Sequence, residues 1–206
     1  MRNLPPQGYR MSFSVGGLFL NESLSVARLH DKGEPWEQTI LRALDQSATA
    51  LPKAASNRRA LREISNRLEC LTPEERYFLL NEADRQDQQA LLWLATCRAY
   101  RFVREFAVEV IRERYLSYQF DLPSEAFDIL LDAKAEWDES LDGLSSSTRK
   151  KLRQVLFRIM RESGILSGDG QIQTAILSSR LRALLEENNP GELAYFPGIP
   201  FMERNS

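Results

Sequence analysis

The residues with the most distinctive chemistry lie in one basic stretch, positions 146–161. The side chains in it that could meet a nucleic acid are Ser147, Thr148, Arg149, Lys150, Lys151, Arg153, Gln154 and Arg158. Apolar residues at positions 152, 155, 156, 159 and 160 recur with helical spacing, so they form one continuous stripe. The stripe predicts the buried face of a helix and leaves the basic residues on the solvent side. Such a face is typical of a surface that contacts phosphate groups.

The start of this helix carries an electrostatic conflict. A short turn at 143–145 leads into it, and Ser146 or Ser147 can provide its N-cap. Helix N-termini favour acidic side chains, yet Arg149, Lys150 and Lys151 lie in the first turns, at a cost of about a few tenths of a kcal/mol each. A phosphate would remove the conflict, because it accepts hydrogen bonds from free backbone N–H groups and from basic side chains. The pattern therefore favours nucleic-acid binding.

The segment just before the basic helix is strongly acidic. Positions 121–142 contain eight acidic residues and a single basic one, Lys134. The alternative to nucleic-acid binding is that the two helices neutralise each other through surface ion pairs. Such pairs contribute only about 0–1 kcal/mol each, so they would not require this clustering of charge. If the basic helix binds DNA, we expect the acidic side chains to point away from it.

A second basic segment, positions 53–68 with Lys53 at its start, also has helical periodicity. Apolar residues at 61, 64 and 68 form its predicted buried line. This leaves four arginines on the predicted exposed side: Arg58, Arg59, Arg62 and Arg67. We interpret the first three as further candidate DNA contacts, with an ordinary charged helix as the alternative. A third group of arginines, at 98, 101 and 104, is offset by neighbouring glutamates and is not included.

Catalytic and metal-binding chemistry has little support in the sequence. The chain has one histidine, His30, and two cysteines, Cys70 and Cys97, which are too few and too scattered for a usual structural zinc site. The glycine-rich SGDG turn at 167–170 lacks the lysine and the hydroxyl residue of a phosphate-binding P-loop. We therefore predict a protein that is not an enzyme and needs no metal or cofactor.

The elements that position these residues are predicted to be helices. Helical periodicity dominates the 206-residue chain, and its 43% hydrophobic content is enough for a core. We expect an all-α, compact multi-helix fold with helix-turn-helix-like elements, a break near 99–102 and a tiny wing hairpin near 165–173. Thr72, Pro73 and Glu75 form the clearest helix start, a capping box. The predicted regions are N-terminal (1–72), central (73–120) and C-terminal (121–206).

The remaining composition bears on location and assembly. A membrane span needs about 20 consecutive apolar residues, and the sequence contains no such run. Two cysteines imply no disulfide framework, which suits a reducing compartment. We therefore expect a cytoplasmic monomer that does not contact the membrane.

The basic segment resembles the second half of winged helix-turn-helix domains. In those domains a GLS turn precedes a helix that begins with hydroxyl and basic residues, and a phrase like ESGIL and a short hairpin follow it. Here these pieces are 143–145, 146–161, 162–166 and 167–173. The resemblance implies that Arg153 and Arg158 contact phosphates. It also implies that five side chains face the DNA groove: Ser147, Thr148, Lys150, Lys151 and Gln154.

Longer stretches carry a second resemblance that covers nearly the full chain. They are GGLFLNES followed by GEPWEQ, SNRRALREISNRLECLTPEE, LLWLATCRAYRFVREFAVEVIRERY and SSTRKKLRQVLFRIMRESGIL. Together they resemble the BrxA family of bacterial BREX (bacteriophage exclusion) defence systems. The resemblance implies an all-helical, non-enzymatic accessory protein of the cytoplasm that binds double-stranded DNA and acts with other BREX proteins.

Three functions stay open from the sequence. The leading hypothesis is binding of double-stranded DNA through phosphate contacts with little base specificity, since Gln154 alone is placed to read bases. The second is a protein-interaction adaptor whose acidic and basic faces bind other defence proteins. The third is RNA binding by the same helices. Single-strand binding is disfavoured, because Phe157 is the one aromatic candidate beside the basic helix.

Overall fold

Helices make up most of the protein in the computed structural model, which describes residues 8–46 and 54–200. In chain order they are α1 (Leu20–Leu29), α2 (Trp36–Asp45), α3 (Ala54–Leu68), α4 (Pro73–Asn81), α5 (Arg85–Ala99), α6 (Arg101–Glu105), a π-helix (Phe106–Arg112), α7 (Glu113–Leu116), α8 (Glu125–Ala135), α9 (Glu139–Asp142), α10 (Ser146–Glu162), α11 (Ser179–Asn188) and a final 3-10 helix (Pro190–Tyr195). The all-α prediction is confirmed. None of the described helices combines the length and the hydropathy that a bilayer crossing requires.

Helix α5 runs through the core. Every residue from Leu91 to Cys97 is buried, as expected for a helix that is apolar on nearly all sides. Trp93 donates its indole N–H to the carbonyl of Tyr195 at 2.9 Å, which fixes the final 3-10 helix against α5. The predicted break is confirmed at Tyr100, whose backbone is extended (φ −129°, ψ 108°) between α5 and α6. The helical path is therefore interrupted at a residue whose own side chain is fully buried.

The predicted capping box is confirmed at the start of α4. The Thr72 hydroxyl accepts the backbone N–H of Glu75 at 3.2 Å, and the Glu75 carboxylate accepts the backbone N–H of Thr72 at 2.8 Å. Two nitrogens of Arg98 on α5 donate to the same carboxylate, at 2.5 and 2.8 Å. Arg98 also donates to Glu192 of the final 3-10 helix, at 2.9 and 2.6 Å. One guanidinium therefore joins three elements in a buried ion cluster.

The tiny hairpin after α10 is confirmed, as isolated bridges instead of continuous strands. Leu166 pairs with Ile172, and the N–H of Ser167 donates to the carbonyl of Gln171 at 2.9 Å. A second antiparallel bridge joins Gln171 to Asp121, which lies just before α8. The hairpin therefore links the chain before α8 to the chain after α10.

The buried apolar side chains form one cluster that draws on all parts of the described chain. Phe13, Ile64, Phe106, Leu156 and Leu185 are members of it, and each is fully buried. The helices that carry the candidate site residues, α3 and α10, are thus anchored in the same core. The region boundaries at 72 and 120 stay predictions.

The turn between α1 and α2 holds the single histidine. Gly33 in this turn has a φ of 84°, a conformation that glycine adopts without steric cost. The His30 ring stacks on Trp36 with centroids 3.8 Å apart, and its Nδ1 lies 2.7 Å from the Thr39 hydroxyl. Burial, and after it the charge of Arg76, lower the pKa of His30. These contacts explain His30 as a structural residue.

We expect His30 to titrate below its ordinary pKa of 6.5. The unfolded chain then binds the proton more tightly than the folded chain. The contribution of the neutral His30 side chain to the free energy of unfolding is therefore fully present above about pH 6.5. It is lost as the pH falls from there through the pKa of His30 in the folded protein. The chain has one histidine, so one NMR signal from the imidazole ring reports the titration. A midpoint at or above 6.5 would contradict the expectation, and His30→Gln should remove this part of the pH dependence.

Candidate nucleic-acid interface

Helix α10 is held in place by its apolar stripe. All five stripe residues, at 152, 155, 156, 159 and 160, are buried as predicted. Phe157 is buried too, and it packs against Phe106 with ring centroids 6.5 Å apart. The aromatic candidate beside the basic helix therefore belongs to the core and offers no surface on which a base can stack.

The N-cap of α10 is Ser145, so the prediction that Ser146 or Ser147 caps the helix is wrong. Ser145 has the extended backbone that a cap requires (φ −63°, ψ 153°), whereas Ser146 is already helical. The Ser145 hydroxyl accepts the Thr148 N–H at 3.2 Å, and the hydroxyls of Ser147 and Thr148 lie 3.0 and 2.9 Å from the Ser145 hydroxyl. The first turn contains no acidic side chain. The electrostatic conflict inferred from the sequence is therefore present in the fold.

One edge of α10 is open and basic. Lys150, Lys151 and Arg161 are exposed, and none of the three has an ion-pair partner among the described residues. Ser147 and Gln154 are exposed on the same helix. This edge therefore combines uncompensated positive charge with two neutral hydrogen-bonding side chains.

Two other arginines of α10 face the acidic helix α8. Arg149 Nη1 lies 2.5 Å from Asp132 Oδ1, and Arg153 forms an ion pair with Asp128. Both helices contribute residues four positions apart, which lie on one helix face, so the two ion pairs sit side by side. The expectation that the acidic side chains point away from the basic helix is wrong for these two aspartates. The arginine side chains stay 25% and 28% exposed.

The last turn of α10 contacts the segment before α1. Arg158 and Glu162 form an ion pair at 2.6 Å, and the other carboxylate oxygen of Glu162 accepts the backbone N–H of Leu18 at 2.6 Å. The carbonyl of Gly17 accepts a hydrogen bond from Arg67 of α3 at 2.9 Å. Gly17 and Leu18 therefore connect the two basic helices.

Gly17→Ala should loosen this connection. A Cβ at Gly17 would lie 2.2 Å from Glu162 Oε2 and 2.9 Å from Arg158 Nε, so Glu162 would have to release the N–H of Leu18. We expect a loss of about 1–2 kcal/mol in the free energy of unfolding, since Glu162 is partly solvated and the hydrogen bond involves a charged group. Thermal unfolding measures it. Gly168→Ala is the control, because a Cβ added there would have no atom within 4 Å beyond Gly168 and its two chain neighbours. Equal losses in both variants would contradict the contact at Gly17.

The candidate residues of α3 differ in burial. Arg58, Arg59 and Arg62 are exposed and have no ion-pair partner within the described chain. The prediction that Arg67 is exposed is wrong: 2% of its side chain is accessible, and its Nε donates to Glu63 at 3.0 Å. Position 67 follows the buried position 64 by three residues, so both lie on one face. That spacing, with an acid four residues earlier, was a signal available in the sequence.

The fold and the surface define this chain as an all-helical protein with exposed basic faces on α3 and α10. The part of the chain that the structure describes holds no group of potential metal ligands. The BrxA family model matches residues 7–189, so the chain belongs to the BrxA family. The family resemblance drawn from the sequence is confirmed.

Two known proteins are similar to this chain over most of its length. The BREX protein BrxA of Paramagnetospirillum magneticum is 24% identical over 186 residues, which cover 88% of this chain and 92% of that protein. A crystal structure of an uncharacterized protein from Magnetospirillum magneticum matches with a TM-score of 0.77 at 22% identity, covering 92% of this chain and 98% of that chain. At this identity the structural likeness establishes the fold alone.

Proposed function

We propose that this protein is a non-enzymatic accessory component of a BREX phage-defence system that binds double-stranded DNA. Membership of the BrxA family and the name of the relative, BREX protein BrxA, support the defence role. In this proposal the protein acts in the cytoplasm as a monomer, next to other BREX proteins. Binding rests mainly on phosphate contacts from α10 and α3.

One observation carries the proposal: although the net charge of the chain is −2, six exposed cations on two helices have no ion-pair partner among the described residues. They are Lys150, Lys151 and Arg161 on α10, and Arg58, Arg59 and Arg62 on α3. Exposed lysine and arginine on helix faces release counterions from DNA when they neutralise its phosphates, which supplies affinity for any sequence. The net charge would not predict this, because the positive charge is concentrated locally.

The order of elements supports a duplex as the ligand. The helical segment 101–116, the bridge residue Asp121, α8, α10 and the hairpin come in the order of the parts of a winged helix-turn-helix domain, with the short α9 lying in the connection between α8 and α10. In this interpretation α10 is the helix that enters the major groove. The major groove of B-form DNA admits an α-helix, whereas that of A-form RNA is too deep and narrow. The same geometry favours DNA over double-stranded RNA.

The ion pairs with α8 distinguish primary from secondary DNA contacts among the basic residues of α10. Arg149 and Arg153 already pair with Asp132 and Asp128, so part of their charge is neutralised before a phosphate approaches. Surface pairs of this kind contribute about 0–1 kcal/mol, so a phosphate can compete for them. We therefore place the primary contacts at Lys150, Lys151 and Arg161, and secondary contacts at the ion-paired Arg149, Arg153 and Arg158.

The experiment is a titration of a labelled, random-sequence DNA duplex over a series of salt concentrations. Single-stranded DNA and double-stranded RNA of the same sequence serve as competitors. We expect saturable duplex binding that weakens steeply with salt, because counterion release sets the slope. Preference for the RNA duplex would replace DNA by RNA as the ligand, and no binding at low salt would leave the basic faces as protein-docking surfaces.

A further inference from the structure

The outward face of α8 exposes apolar side chains in a line. Ile129 is 70% exposed and Trp137 is 88% exposed, with the exposed Ala133 between them. The three positions are four residues apart, so they share one side of the helix. Trp137 lies just past the end of α8 and donates its backbone N–H to the carbonyl of Lys134 at 3.2 Å, which continues the helical path. We call this line the α8 outer stripe.

Folding does not account for the α8 outer stripe. The inward face of α8 is complete without it: Phe127 and Leu131 are fully buried, and Ala126 and Leu130 nearly so. A helix that only covers the core would carry polar residues on its outward side. Aligned exposed apolar groups mark interaction sites, and tryptophan is enriched among the residues that dominate binding energy. The stripe is therefore a surface available for a partner.

The charges around the stripe indicate what kind of partner fits. Glu125, Glu136 and Glu139 are exposed and have no ion-pair partner among the described residues. Glu125 precedes Ile129 by one helical turn, and the other two lie on either side of Trp137 in the chain. Phosphates and anionic lipids would be repelled from this surface, whereas a cationic segment would be attracted to it. The ligand of this face is thus chemically opposite to that of α10.

We propose that the α8 outer stripe docks a basic amphipathic helix of another protein, with its apolar side on Ile129 and Trp137 and its cations on the surrounding glutamates. The stripe is about 12 Å long, at 1.5 Å of rise per residue, which suits two or three turns of a helix. The chain's own basic helices do not fit this role, since the apolar stripes of α3 and α10 are buried in the core.

The proposal is tested with a labelled synthetic helix of leucine and lysine, arranged so that all leucines lie on one side. A peptide of the same composition in scrambled order is its control. Fluorescence anisotropy with the full-length protein should show saturable binding of the amphipathic peptide and at least tenfold weaker binding of the scrambled one. Ile129→Ser/Trp137→Ser and Glu125→Gln/Glu136→Gln/Glu139→Gln should each weaken binding of the amphipathic peptide at least tenfold. Ile176→Ser, which changes a 62% exposed isoleucine away from α8, should leave it unchanged.

The outcomes separate this docking surface from the proposed DNA-binding function. All three variants should keep duplex binding and the helical circular dichroism of the parent, because none alters α10 or the core. Equal binding of the two peptides, or unchanged binding by the Ile129/Trp137 variant, would overturn the proposal. Self-association that disappears in that variant would also overturn it, and would make a second copy of this chain the occupant.

Discussion

Replacing both Lys150 and Lys151 by glutamate should weaken binding to a random-sequence DNA duplex by about a hundredfold near ~0.1 M salt. Each phosphate contact contributes about 0.9 to the slope of log affinity against log salt concentration, so one contact corresponds to roughly tenfold at this salt. Losing two contacts should also reduce the slope by about 2. Both lysines are exposed and have no ion pair within the described chain, so the fold should stay intact.

The two lysines are a sharper test than the neighbouring arginines. Arg153 forms an ion pair with Asp128, so Arg153→Glu would place two carboxylates together and disturb the contact between α8 and α10. Fluorescence anisotropy over a salt series measures both the affinity and the slope. Lys32→Glu/Arg85→Glu is the matched control, because it makes the same change in net charge at exposed positions outside α3 and α10.

The three possible results lead to different conclusions about which surface binds DNA. A loss of affinity in the Lys150/Lys151 variant but not in the control would support phosphate contact by α10. Equal affinity of variant and parent would contradict that role and direct the test to Arg58, Arg59 and Arg62 on α3. Equal losses in the variant and the control would indicate a response to net charge alone, without a defined interface.

Arg98→Ala should lower the free energy of unfolding by about 3–5 kcal/mol, because it leaves a buried carboxylate without its main partner. The Glu75 side chain is 0% exposed and that of Glu192 is 10% exposed. Burial raises the pKa of Glu75, yet the hydrogen bonds from Arg98 and Thr72 outweigh burial and hold the pKa below its ordinary value. In the variant this carboxylate must take up a proton or admit water.

Chemical denaturation measures the loss, and the melting temperature should fall by roughly 2–4 °C for each kcal/mol. Arg182→Ala is the control: its ion pair with Glu186 lies at the surface and should contribute less than about 1 kcal/mol. Glu75 stabilises the parent fully above its ordinary pKa of 4.5, and this contribution is lost as the pH falls through the lower folded pKa. The difference between parent and variant should therefore shrink in acid. A loss no larger than that of the control would contradict a buried ion cluster.

Most of the helical framework can be predicted from the sequence. The capping box at Thr72, the interruption at Tyr100 and the apolar stripe of α10 all depend on residues within one or two helical turns of each other, which a local pattern contains. The family resemblance follows from the same patterns in their order along the chain. Local signals do not predict the π-helix of Phe106–Arg112, because its residues alone are compatible with a regular α-helix.

In contrast, the sequence alone could not show which basic side chains form an ion pair and which do not. Helical spacing places Arg149 and Lys150 on neighbouring parts of the same exposed surface, but Arg149 meets Asp132 and Lys150 meets no acid in the described chain. Likewise, the spacing of α8 leaves Trp137 pointing outward without saying whether another element covers it. The direction of a side chain is a property of its own helix. What it meets there depends on how helices distant in sequence pack together, and that packing is set by the burial of the whole core.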